Sequence, residues 1–228
     1  NREPRTENRE TMSLPTLDPT ELRVVGALVE KSLATPDSYP LTLNSLRAGC
    51  NQSSSRDPVM DLSERDVSQA LERLKRRRLV GTASGAGHRV AKFRHALAEV
   101  LELSRRELAA MAVLILRGPQ TPGEIRSRVG RMADLADVAE AEEVLWMLSD
   151  REMPLVVELP REPGRSASRF AHTLAGDVAP AETSPEREGE EAGPQPLTLA
   201  DRVDALEAEV ESLRAELSGL RERLGDTD

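Results

Sequence analysis

Residues 61–94 read DLSERDVSQALERLKRRRLVGTASGAGHRVAKFR. Val67, Ala70, Leu71 and Leu74 fall at i, i+3, i+4 and i+7, the spacing of one helical face, and Arg65, Gln69, Glu72, Arg73 and Arg76 are left on the other. Ser63 stands where an N-cap belongs, with Asp66 three residues on. Lys75, Arg76, Arg77 and Arg78 close the segment with positive charge, which suits the partial negative charge of a helix C-terminus. The stretch therefore predicts a helix starting after Ser63. Next come a strand at Leu79–Ala83, a glycine-containing turn at Ser84–Gly87 and a basic strand at His88–Arg94, with Val90 and Phe93 facing inward.

Upstream, Asp18, Pro19 and Glu21 supply a cap, a first-turn proline and an N3 glutamate, and Leu22, Val25, Leu28 and Val29 continue a helix to Ala34. Thr35-Pro36-Asp37-Ser38-Tyr39-Pro40 breaks it. Thr42 caps a second helix through Leu43, Leu46 and Cys50, and a polar loop, 51–58, leads to the helix after Ser63. Three helices followed by a hairpin is the order of a winged helix, in which the third helix enters a major groove and the hairpin lies along the backbone or minor groove.

Downstream the plan repeats. Ser104 and Glu107 offer a second capping box before Leu108, Met111, Ala112 and Ile115. Thr121 caps a short helix with Ile125 and Val129, and a third helix over about 138–150 turns Ala141, Val144, Leu145 and Leu148 inward. Leu155–Leu159 and Ser168–Thr173 then flank a Pro/Gly-containing turn. A repeat in element order predicts paired domains at 17–98 and 99–177, after a disordered arm at 1–16.

Several segments strengthen this reading. Glu30-Lys31, Thr35-Pro36-Asp37-Ser38-Tyr39-Pro40-Leu41, Leu43-Asn44-Ser45-Leu46, Cys50-Asn51-Gln52, Ser55-Arg56-Asp57-Pro58-Val59, Leu116-Arg117-Gly118-Pro119-Gln120-Thr121-Pro122-Gly123-Glu124 and Arg161-Glu162-Pro163-Gly164 run through both expected domains, within residues 18–177. Through them the chain resembles the YceH-like bacterial proteins. The resemblance implies tandem winged helices and carries no established activity, so it transfers no catalytic residue.

Residues 178–196 are rich in Pro, Glu, Gly and Ala, the composition of a disordered linker. Beyond it, Leu199, Val203, Leu206, Val210, Leu213, Leu217, Leu220 and Leu224 alternate spacings of four and three, an unbroken heptad stripe within 197–226. In a parallel pair Arg202 meets Glu207, Glu209 meets Arg214 and Glu216 meets Arg221, all opposite in sign; a centred antiparallel pair sets Arg202 against Arg223 and Glu209 against Glu216. The charges select a parallel homodimer and the apolar stripe supplies its affinity. The other reading is a single amphipathic helix folded onto the chain's own surface.

Of 228 residues only Tyr39, Phe93, Trp146 and Phe170 are aromatic, so the core is built from Leu, Val, Ala and Met, which suits small helical domains. Cys50 is the one cysteine and excludes an internal disulfide; the apolar runs are too short to span a membrane, and the N-terminus has no apolar signal region. The cytoplasm is the expected compartment. The net charge is −9, yet residues 18–98 carry +4, 99–176 carry −3 and 177–228 carry −10. Screening over about 8 to 10 Å lets a remote acidic tail coexist with a local basic face.

The expected fold class is therefore mainly α with small β-hairpin wings: two tandem winged helices and a C-terminal coiled coil. The expected function is DNA binding, of a regulatory kind, through the first domain. Arg65, Ser68, Gln69 and Arg73 are the candidates for base edges, where Arg suits guanine and Gln suits adenine, with Lys75, Arg76, Arg77, Arg89, Lys92 and Arg94 for phosphates. The rival is a protein-interaction scaffold of tandem winged helices, favoured by Glu140, Glu142 and Glu143 on the second domain's third helix. His88, His95 and His172 lack metal-ligand spacing with Cys50, and Ser53, Ser54 and Ser55 lack a general base. No cofactor and no enzyme activity are expected.

Overall fold

A computed structural model describes residues 16–83, 90–161 and 167–176. Arg89, the expected turn at 84–87, the arm apart from residue 16, the linker at 178–196 and the heptad stripe of Leu199, Val203, Leu206, Val210, Leu213, Leu217, Leu220 and Leu224 lie outside the described residues.

The local start signals in the sequence become helix ends. In α1, Pro19–Ala34, the Asp18 carboxylate accepts from the Glu21 N–H at 2.8 Å, and Glu21 accepts from the Asp18 N–H at 3.0 Å. A short 3-10 turn, Pro36–Ser38, leads to β1, Leu41–Thr42, and α2, Leu43–Cys50, whose N-cap is Thr42. In α3, Glu64–Arg76, Ser63 and Asp66 form the same reciprocal cap as Asp18 and Glu21. The ribbon follows as β2, Val80–Ala83, and β3, Lys92–His95. A one-turn helix, α4, Leu97–Val100, joins it to α5, Arg105–Arg117, capped by Ser104 and Glu107. Then come α6, Pro122–Val129, capped by Thr121 and Glu124, α7, Val138–Ser149, and a second hairpin of β4, Val156–Glu158, and β5, Phe170–His172. The architecture is helical with two small antiparallel sheets.

Besides the 3-10 turn at Pro36–Ser38, two elements were not expected. β1 pairs with β3 through Leu41↔Phe93 and Thr42↔Lys92, so β3 is the central strand of a three-stranded sheet in the order β1-β3-β2. α4 is the other. One expected orientation is corrected: Phe93 is buried, but Val90 is 58% exposed. β3 begins only at Lys92, so the strand's alternation does not reach Val90.

α1 is the hub. It packs against α2 and α3 on one side and α5 on the other. At Gly26 a Cβ would stand 2.8 Å from Ile115 Cγ2 and 2.9 Å from Leu116 Cδ2, so the missing side chain is what lets α1 and α5 close. The apolar core is continuous from Leu28, Leu46, Leu71 and Leu74 to Met111, Leu114, Ile125 and Leu145.

Candidate nucleic-acid interface

The buried residues of α3 are Val67, Ala70, Leu71 and Leu74, the face read from the sequence. The opposite stripe of Arg65, Gln69, Glu72 and Arg76 is exposed, with Ser68 half-buried beside it. At its far end α3 meets the ribbon. Lys75 Nζ lies 5.0 Å from the centroid of the Phe93 ring, so the basic end of the helix and strand β3 do adjoin.

The ten sequence candidates do not all face outward with free charge. Arg73 donates from Nε to Glu21 at 2.9 Å and from Nη2 to Asp18 at 2.7 Å, which ties α3 to the N-terminal cap of α1. Those bonds, the one to Glu21 foremost, hold its guanidinium above its ordinary pKa. Arg77 donates to the Thr16 carbonyl and stands 3.8 Å from Glu21. Lys75 donates to Glu72 at 2.8 Å, and Arg94 lies 3.6 Å from Glu99. Arg65, Arg76 and Lys92 make no ion pair with a carboxylate among the described residues. Arg89 is outside them.

The end of α3 adds Arg78, a member of the basic run 75–78 read for phosphate contact but outside the ten named candidates. The Arg78 N–H reaches the Lys75 carbonyl at 2.9 Å and the Leu79 N–H reaches the Leu74 carbonyl at 3.0 Å, a Schellman closure whose left-handed residue is usually glycine. Here it is Arg78, with φ 61° and an exposed side chain. A side chain in this backbone region costs about 1 kcal/mol or more. Sequence reading had no signal for this strain, which depends on where the helix ends. Arg78→Gly is accordingly expected to raise the unfolding free energy by about 1 kcal/mol, read as a higher urea midpoint. An unchanged or lower midpoint would contradict the strain.

In the second half, α7 turns Glu142, Glu143, Trp146 and Met147 outward. Trp146 is 49% and Met147 52% exposed, and the indole stands edge-on to Phe170 at 5.5 Å between centroids. Glu140 is engaged by Arg106 and by the Ala136 N–H. Around α6, Arg126 donates to the Ala136 carbonyl, Arg128 lies 3.4 Å from Glu124, and Arg169 donates to the Pro119 carbonyl. The outward face here is acidic and apolar.

The motif segments turn out to be joinery. Arg56 donates to both Glu30 oxygens, to the Gly49 and Ser55 carbonyls and to Gln52. Buried Arg23 donates to the Cys50 and Pro58 carbonyls, and Asn51 exchanges two 2.9 Å bonds with the backbone of Leu62. The Asp57 N–H reaches the Leu116 carbonyl at 2.8 Å and Arg117 donates to Ser55 Oγ. These residues hold loop 51–62 between α2 and α3 and fasten it to α5.

Reactive groups are buried. Burial pushes the Cys50 thiol up to about 12, which keeps it protonated and unreactive at neutral pH. His95 bonds to Ser32 Oγ at 2.9 Å, and its backbone N–H donates to the Tyr39 hydroxyl at 2.7 Å. Burial also pushes Tyr39 up to about 12. Among the described residues no group of three or more His, Cys, Asp or Glu is placed to hold a metal, and no helix is long and apolar enough to cross a membrane.

A family profile described as "Protein of unknown function, DUF480" matches residues 17–165. The chain belongs to this family. DUF480 covers all of α1 to β4, and agrees with the resemblance to the YceH-like proteins. Relatives named UPF0502 protein extend the likeness. That of Geobacter sulfurreducens is 51% identical over 199 residues, covering 86% of this chain and 90% of that protein. That of Aeromonas hydrophila is 44% identical over 219 residues, covering 93% and 98%. That of Shewanella amazonensis is 45% identical over 203 residues, covering 86% and 97%. The motif joinery at Glu30, Cys50–Asn51 and Ser55–Pro58 lies inside the DUF480 match.

Proposed function

We propose that the chain is a cytoplasmic, regulatory DNA-binding protein of two tandem winged-helix units, dimerised by the heptad helix at 197–226. In this reading α3 lies in a major groove with Arg65, Ser68 and Gln69 towards base edges, and Arg76, Arg78, Lys92 and Arg89 contact phosphates. Arg73, Arg77 and Lys75 act as struts that fix the pose of the helix. The observation that carries the reading is the strained Arg78. Backbone strain clusters at functional surfaces, and here the strained residue is an exposed cation at the end of α3.

Fluorescence anisotropy with a duplex at several salt concentrations tests this. Removing one cation from the phosphates is expected to flatten the slope of log K against log [salt] by about 0.9, so changing Arg76, Arg78 and Lys92 together to Ala flattens it by about 2.7. Affinity for any duplex falls with it, while Arg73→Ala is expected to lower stability first. Binding and salt slope unaltered in the triple variant would remove the first half as a DNA reader.

The outward Trp146 and Met147 beside Glu142 and Glu143 favour a second role for the other half, as the docking face for a basic or apolar protein partner. Co-purification of a stoichiometric protein that Trp146→Ala releases, with no nucleic acid retained at moderate salt, would move the assignment to a scaffold.

A further inference from the structure

A concave feature separate from the α3 face lies where the two halves meet. A cleft of about 550 Å³ is bounded by the C-terminal end of α1, loop 51–55, the end of α5 and the end of α6 with the turn after it. Its cations are Lys31, Arg117, Arg128 and Arg131, and its hydroxyls include Ser54, Ser55 and Ser127. The carboxylate in its lining is Glu30, which is already gripped by Arg56 at 2.6 and 3.1 Å. Arg117 is half-enclosed: its guanidinium donates to Ser55 Oγ and forms no ion pair with a carboxylate among the described residues. Burial and the neighbouring Arg128 together hold its pKa below the ordinary arginine value, so an anion placed between them would relieve both.

We propose that this cleft binds a small phosphorylated ligand, seated between Arg117 and Arg128 with Arg131 and Lys31 at the rim and the serine hydroxyls donating to its oxygens. The volume suits a molecule of metabolite size, and guanidinium forks match phosphate geometry. The site is separate from the proposed DNA face. Arg73 grips α1 at Glu21 whereas the cleft begins at Glu30, about 14 Å further along the helix axis. Because α1 and loop 51–55 form one wall and α5 and α6 the other, occupancy ties the halves together and stabilises the folded chain by mass action.

The test uses the full chain and three probes at matched ionic strength: inorganic phosphate, inorganic pyrophosphate and citrate. Pyrophosphate is expected to raise the unfolding midpoint with the logarithm of its concentration above Kd, by about 5 °C at 100-fold its Kd, and to bind saturably in calorimetry. Phosphate is expected to act more weakly, and citrate little. Changing Arg128 and Arg131 together to Ala removes the half-exposed Arg128–Glu124 pair and so moves the ligand-free midpoint by no more than about 2 °C. The same change leaves duplex affinity unaltered and weakens pyrophosphate binding about a hundredfold in calorimetry. The proposal is overturned by a shift that persists in that variant, by the lack of any shift or of saturable binding in calorimetry, or by citrate outperforming pyrophosphate. It is equally overturned if the variant loses duplex binding in proportion, since the cleft would then be part of the nucleic-acid surface.

Discussion

Arg56→Ala is expected to lower the unfolding free energy by about 3 to 5 kcal/mol, a large part of the stability of a chain this size. The side chain is 0% exposed, and its donors reach Glu30, Gly49, Gln52 and Ser55. Truncation leaves the Glu30 carboxylate at 16% exposure without its partner and strands two carbonyls. It also frees loop 51–62 from the end of α2, so the bonds from Asp57 to Leu116 and from Arg117 to Ser55 are expected to weaken with it. Arg56→Lys keeps the charge but not the planar fork, and is expected to recover less than half the loss. Urea titrations of the three proteins read these costs directly. A loss under about 1 kcal/mol for Arg56→Ala, the range of exposed ion pairs, would show that the buried cluster contributes little.

The second large effect is a loss of stability in mild acid, centred on His172. This residue stands on β5 opposite Val156, and its Nδ1 is buried without a hydrogen-bond partner among the described residues. Burial pushes its pKa down to about 4, from 6.5 for a free imidazole. The folded chain therefore keeps His172 neutral while the unfolded chain takes up a proton first. Its contribution is complete above about pH 6.5 and disappears as the pH falls towards 4. A shift from 6.5 to about 4 is worth about 3 kcal/mol at about 1.4 kcal/mol per unit. His95 is displaced the same way by burial and adds to the slope. Replacing His172 with Gln isolates the larger share: denaturation midpoints followed from pH 7 to 4 should fall distinctly less steeply in the variant. Parallel curves would mean that His172 becomes protonated without unfolding cost.

What the sequence revealed was local. The caps at Asp18, Ser63 and Ser104, the buried stripes of α3 and α7 and the two antiparallel strand pairs follow from residues three or four apart or from neighbouring runs, and all stand in the structure. α1, by contrast, is buried on every side from Glu21 to Val29 because both halves pack on it. β1 escaped notice because two residues make no periodicity; Leu41 is a strand residue only because Phe93 lies opposite it. The candidate site divided for the same reason. Nothing near Arg73 in sequence foretells that Asp18 and Glu21, more than fifty residues earlier, hold it, whereas Arg65 and Arg76 kept the exposure that helical spacing assigned them. The motif around Arg56 was conspicuous in sequence but its structural role was not, since its partners lie on α1, α2 and the loop itself.

α3 is secured at both extremities. Asn51 clasps Leu62 just ahead of the Ser63 cap, and Arg73 grips Asp18 and Glu21 near the opposite end. None of these bonds involves Arg65, Ser68, Gln69 or Arg76. Substitution of those four residues therefore leaves every one of the bonds that fix α3 against α1 and the preceding loop in place.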